Sequence, residues 1–165
     1  MSFDLAILLI RIVFGLTVAA HGAQKLFGAF GGYGIKGIAG WLGSMGFRPA
    51  VLWAWLAGLT EFGGGLLMAL GFLGPIGALG VISAMLVAII AAHWGSFFAT
   101  SQGMEYPLTL AVAALAVVIS GPGAYSLDAI TGFTLPEPLT SIGGLVLVVI
   151  GVAISLVTRA TPKTA

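Results

Sequence analysis

Five stretches of this chain stay apolar for sixteen residues or more, broken only by an occasional polar side chain, and that constrains the fold more than any motif. They run from about Phe3 to Phe27, Pro49 to Leu70, Pro75 to His93, Glu105 to Ser120 and Leu139 to Val157. A helix needs roughly 20 apolar residues to cross a hydrocarbon core of about 30 Å. In lipid every backbone amide and carbonyl must be bonded within the protein, which selects helices over open strands. Composition points the same way. The 165 residues are 59% hydrophobic and 7% charged, against about 25% charged in soluble domains. So few charges cannot clothe a water-facing surface. The sequence therefore predicts an all-α, polytopic transmembrane helix bundle formed by residues 1–165 as a single domain.

Glycine and proline punctuate the segments where turns are needed. Gly71 and Gly74-Pro75 make a tight hairpin between the second and third segments, and Gly121-Pro122-Gly123 ends the fourth. Pro107 suits a first helical turn, where no amide hydrogen is required. Between the first two segments, "GIKGIAGWLGSMG" (34–46) sets Ile35, Ile38, Trp41, Leu42 and Met45 at helical spacing. That predicts a short helix at the membrane interface, with Trp41 at headgroup level. The leader "MSFDLAILLI" carries Asp4 and no Lys or Arg ahead of its apolar core. It is therefore read as a retained helix rather than a cleaved signal peptide.

With five crossings, one face collects Lys25, Lys36, Arg48, Arg159 and Lys163, and the other Asp4, Asp128 and Glu137 with no Lys or Arg. Lys and Arg concentrate in cytoplasmic loops. The expected arrangement is a multi-pass protein of a bacterial or archaeal cell membrane, N-terminus outside and C-terminus in the cytoplasm.

Several chemistries drop out. There is no cysteine, which removes disulfides, thiolate catalysis, iron–sulfur clusters and cysteine zinc sites. A net charge of +1 provides no basic face for nucleic acid. Gly32-Tyr33-Gly34-Ile35-Lys36-Gly37 matches G-x-G-x-x-G, but that pattern binds a dinucleotide only inside a βαβ unit. Lys36 has neither the preceding glycine nor the following Ser or Thr of a P-loop. No Ser–His–Asp spacing suggests a hydrolase. His21, His93 and Glu105 alone do not fix a metal geometry, so no metal site is expected.

What remains is a small set of ionisable groups inside or beside the apolar segments, and each costs free energy there unless paired or solvated. Arg11 lies within the first segment and Glu61 near the middle of the second. The sequence suggests that they meet as a buried ion pair, either fixing helix packing or forming part of a proton or ligand path. A second group gathers at the other end. His21 and Lys25, four residues apart, project from one side of the first helix. His93 ends the third helix, and Glu105 and Tyr106 open the fourth, where the helix dipole favours a carboxylate. The plain account is polar side chains snorkelling from helix ends. The functional account is a binding site made of His21, Lys25, His93, Glu105 and Tyr106. A quinone head group suits it, because histidine can donate to a quinone oxygen and exchange protons near neutral pH. Haem held by the two histidines is the second candidate.

The ordered set "RIVFGLTVAAHGAQKLFG", "EFGGGLLMALG", "AAHWGSFF", "EYPLTLAV" and "GPGAYSLD" resembles the DoxX family of small bacterial and archaeal membrane proteins, over roughly residues 5–130. The resemblance rests on Arg11, Gly15, His21, Gly22, Lys25, Glu61, Gly64, His93, Glu105, Tyr106, Pro107, Gly121, Pro122, Gly123, Ser126 and Asp128. It implies a four-helix core, to which this chain adds the segment 139–157. It also implies a membrane subunit near quinone- or thiol-linked redox chemistry. Related subunits occur in a thiosulfate:quinone oxidoreductase, in an oxidative-stress complex with a sulfurtransferase and a superoxide dismutase, and beside catechol or quinone detoxification. Without cysteine this chain cannot itself carry a persulfide.

Three readings follow. The first is a membrane subunit of an oxidoreductase complex that contacts a quinone near the cytoplasmic face. The second is a non-catalytic anchor or scaffold for a soluble redox enzyme, docking through the interfacial helix at Lys36 and Trp41. The third is a small-solute or proton transporter, which would need homo-oligomerisation to widen so narrow a bundle. The lipid bilayer is the partner common to all three.

Overall fold

The computed structural model describes residues 2–160, and among them no strand occurs. Lys163, counted above on the basic face, lies outside the described residues. Seven α-helices form among the described residues: α1 (Ser2–Phe27), α2 (Gly34–Ser44), α3 (Ala50–Leu70), α4 (Ile76–Ala92), α5 (Glu105–Ser120), α6 (Leu127–Thr131) and α7 (Leu139–Val157). The five long helices match the apolar segments to within one residue at either end. α2 stops at Ser44 rather than 46, because Gly46 turns the chain with φ +90°. The short α6 was not foreseen. Ser126 caps it, its Oγ accepting the amide of Ala129 at 3.2 Å.

Helices α1, α3 and α7 are long and apolar enough to cross a membrane. α4 and α5 are shorter, at 17 and 16 residues, but lie in the middle of the same bundle. Val18, Met68, Val81, Ile82, Met85, Leu110, Ala114 and Val117 form its principal buried core, drawn from α1, α3, α4 and α5.

With no hydrophobic drive between helices in lipid, close backbone approach has to hold the bundle, and small residues permit it. A Cβ added to Gly15 would lie 2.7 Å from the backbone of Gly65 and Ala69, and one on Gly22 would lie 2.2 Å from the amide of Phe62. These contacts set an antiparallel register between α1 and α3. Gly64 and Gly77 bring α3 against α4 in the same way, each meeting the other's carbonyl oxygen. The α3–α4 hairpin closes on Gly71, whose φ of +63° ends α3, with Phe72 N bonded back to Leu67 O at 3.0 Å.

The helices leave two ends with different chemistry. The hairpin end carries the start of α1, the α3–α4 turn, the end of α5, α6 and the start of α7. The histidine end carries the end of α1, α2, the α4–α5 loop and the end of α7. α7 runs the full height between them. It packs on α4 through Gly144 against Leu79, and at its far end Ala160 N bonds Gly46 O at 2.9 Å while Arg159 lies over the Phe47 ring. The basic residues Lys25, Lys36, Arg48 and Arg159 thus share the histidine end, and Asp4, Asp128 and Glu137 the other.

Candidate functional site

The α1–α3 register decides the partners of the intramembrane charges, and it overturns the expected Arg11–Glu61 pair. Since Gly15 faces Gly65 and Ala69, and Gly22 faces Phe62, Arg11 falls opposite Gly71. Gly71 and Glu61 are ten residues apart on the chain, roughly 15 Å along a helix at 1.5 Å per residue. Glu61 instead accepts a hydrogen bond in an ion pair from Lys25, which reaches it from the last two turns of α1. Both groups are well covered, with side-chain exposures of 20% for Lys25 and 6% for Glu61.

Arg11 serves the hairpin end. It is 1% exposed, and its Nη2 donates to the carbonyl of Tyr125 at 2.5 Å. Among the described residues its Nε and Nη1 find no acceptor. Asp128 lies within electrostatic range of the guanidinium. Its own oxygens accept the amides of Leu73 (3.0 Å) and Gly74 (2.6 Å), while its amide donates to Gly71 O at 3.1 Å. Asp4 accepts the amide of Ala124 at 3.0 Å. The segment after α5 is thus clasped to α1 and to the α3–α4 hairpin. Glycine suits position 71, because its φ is +63° and a Cβ would lie 2.6 Å from Ser126 Cβ and crowd the Arg11 guanidinium.

The histidine end brings together most of the predicted group. His21 Nε2 and Tyr106 Oη are hydrogen-bonded at 2.9 Å, with the rings edge to face. Glu61 also lies within electrostatic range of Tyr106. His93 is placed differently. Its Nδ1 bonds the carbonyl of Gln102 at 2.7 Å, within the α4–α5 loop. The Glu105 carboxylate accepts the amide of Ala99 at 2.8 Å, within the same α4–α5 loop. One of its oxygens is thus engaged in a bond to the loop.

His93 and Tyr106 nevertheless line one open hollow of about 640 Å³, walled also by Trp41, Met45, Gln102 and Pro107. Trp41 comes from α2, so the interfacial helix forms part of the wall. A larger cavity, about 730 Å³, lies at the hairpin end between the α5–α6 segment and α7. Its wall holds Asp128, already committed to two amides, and Glu137, whose Oε2 accepts the amide of Ser141 at 3.2 Å. The smaller hollow is the better candidate, because groups able to exchange protons line it. Among the described residues, no three His, Asp or Glu side chains gather where a metal ion could bind.

Sequence reasoning missed the contributions of Gln102 and Trp41. Gln102 acts through its backbone carbonyl, which no side-chain pattern reveals. Trp41 was legible as an interfacial aromatic and a docking residue, not as a wall of the hollow. The nature of the Asp128 clasp was missed as well, although the "GPGAYSLD" run marked the place.

A sequence model of the DoxX family matches residues 6–94, from the first turns of α1 through His93 to Trp94. No curated protein and no solved structure matches the chain.

Proposed function

This chain belongs to the DoxX family, and from that premise we propose that it is an integral membrane subunit that holds a quinone head group in the hollow at the histidine end. The observation that carries this reading is the convergence of His93 and Tyr106 on one hollow of about 640 Å³ beside an apolar bundle. That volume falls within the roughly 300–1,000 Å³ range of small-molecule sites. A flat ring with two oxygens needs apolar walls and one or two polar contacts. Trp41, Met45 and Pro107 supply the walls, and Tyr106 and His93 the contacts. When bound, a quinone supplies two-electron, two-proton redox chemistry. The chain's own residues orient the ring and hold protons at Tyr106 Oη and the imidazoles, with Lys25 and Glu61 behind them. Haem ligation by both histidines is disfavoured, because His21 Nε2 is already bonded to Tyr106.

On this reading the histidine end faces the cytoplasm of a bacterial or archaeal cell, as its four basic residues favour. A soluble redox enzyme would meet the quinone there, and the exposed face of α2 at Lys36 offers the contact. The test is gentle purification in detergent, followed by extraction and identification of bound quinone. We expect the quinone, in its oxidised or reduced form, with the native chain, its loss in Tyr106→Phe, and loss of the reduced form in His93→Ala. The proposal fails if the native protein carries no quinone and added quinone leaves its melting temperature unchanged. Co-purification of a soluble enzyme that is lost on changing Lys36, with no quinone bound, would favour the scaffold reading.

A further inference from the structure

We propose that the hollow discriminates between the two redox forms of its ligand and prefers the hydroxylated, reduced ring, and that Glu105 is the positioning residue that sets this preference. The inference rests on the quinone reading above and adds a direction to it.

His93 Nδ1 lies 2.7 Å from the carbonyl oxygen of Gln102. A carbonyl oxygen can only accept, so Nδ1 must carry the hydrogen. A neutral imidazole has one N–H, which leaves Nε2 as a bare lone pair. Among the described residues Nε2 has no partner, and the ring lines the hollow. A ring hydroxyl brings a hydrogen to that lone pair. A quinone carbonyl brings a second lone pair, and the two repel. Tyr106 Oη is also bonded to His21 Nε2, so the discrimination is argued from His93 alone.

The tautomer depends on holding the Gln102 carbonyl in place, and the α4–α5 loop is built to do so. Gln102 sits in the left-handed region at φ +57°. Ser101 N and Gly103 N both bond Phe98 O at 2.9 Å, and Glu105 N bonds Phe97 O at 2.8 Å. Gly103 is pressed so closely on Phe97 that a Cβ would lie 2.4 Å from its carbonyl carbon. The Glu105 carboxylate closes this turn by taking the Ala99 amide. Without that acceptor the turn loosens, the Gln102 carbonyl is no longer pinned, and both neutral tautomers of His93 become accessible.

The test uses the full chain in nanodiscs, labelled with ¹⁵N-histidine, at mildly alkaline pH where an ordinary imidazole is neutral. The probe is a short-chain benzoquinone, titrated anaerobically in its oxidised form and in its chemically reduced hydroquinone form. We expect the His93 spectrum to report the Nδ1–H tautomer. We expect the hydroquinone to bind about tenfold more tightly than the quinone, the upper end of what one net hydrogen bond supplies. Glu105→Ala should mix the tautomers and bring the affinity ratio toward one. Glu105→Gln, which keeps an oxygen for Ala99, should retain most of both. An Nε2–H tautomer in the native chain, equal affinities, or tighter binding of the oxidised probe each overturns the inference and leaves the quinone site standing. Binding of neither form overturns both.

Discussion

The imidazole of His21 and the phenol of Tyr106 meet at 2.9 Å, joining the last two turns of α1 to the first turn of α5 across 85 residues of sequence. The contact is partly solvent-exposed, so its loss should cost only about 0.5–1 kcal/mol, the lower part of the range for a net hydrogen bond. Tyr106→Phe is expected to lower the melting temperature slightly and to shift the His21 ring resonances, leaving those of His93 in place. Equal shifts at both histidines would mean that the hollow is one coupled network.

The Lys25–Glu61 pair predicts an asymmetry. Removing Lys25 strands a carboxylate inside the bundle, which costs roughly 3–5 kcal/mol for buried pairs. Removing Glu61 leaves a long side chain near a helix end that can swing outward. Lys25→Met should therefore destabilise more than Glu61→Gln, and the double variant should recover part of the Lys25→Met loss. Thermal unfolding of the four proteins in one detergent checks this. Additive losses would show that the two groups do not interact.

Arg11 and Glu61 offer the contrasting cycle. Lying at different heights in the bundle, they should contribute independently, with losses adding to within about 0.5 kcal/mol. A coupling as large as that of Lys25 and Glu61 would reinstate the pair expected from the sequence.

Asp128 holds the hairpin by the amides of Leu73 and Gly74. Asp128→Asn keeps one oxygen but turns an amide nitrogen toward a donor. The lost bond to a charged acceptor is worth about 1.5–3 kcal/mol. Hydrogen exchange at Leu73 and Gly74 should accelerate in this variant before the rest of α3 or α4 does. Unchanged protection at both amides would contradict the clasp.

Two glycines separate packing from propensity. Gly22→Ala drives a Cβ to 2.2 Å from the Phe62 amide, and overpacking of that kind costs typically 1–3 kcal/mol. Gly63→Ala meets nothing within 4 Å and should leave the melting temperature unchanged or raise it, since alanine is the better helix former. Measuring both in one detergent removes solvent effects from the comparison.

The sequence was most legible where one helix could be read by itself. Apolar length located the five long helices almost to the residue, and the Gly71–Pro75 hairpin and the Trp41 helix were visible in their local chemistry. The candidate site was legible in part. His21, Lys25, His93, Glu105 and Tyr106 do gather at one end, because helix ends at one depth were readable from chain order. Their pairings were not: Lys25 bonds Glu61, His21 bonds Tyr106, and Glu105 bonds the Ala99 amide.

The difference has a physical origin. The helical pitch fixes which residues share a face, so the sequence alone determined the helices, the lipid environment and the separation of acidic from basic ends. Pitch says nothing about how far one helix slides along another. Here Gly15, Gly22 and Gly65 set that slide by backbone contact. The tertiary structure alone therefore decided that Lys25 rather than Arg11 answers Glu61, and that Arg11 answers Tyr125. It also decided that the carbonyl of Gln102, invisible in any side-chain pattern, lies 2.7 Å from His93 Nδ1.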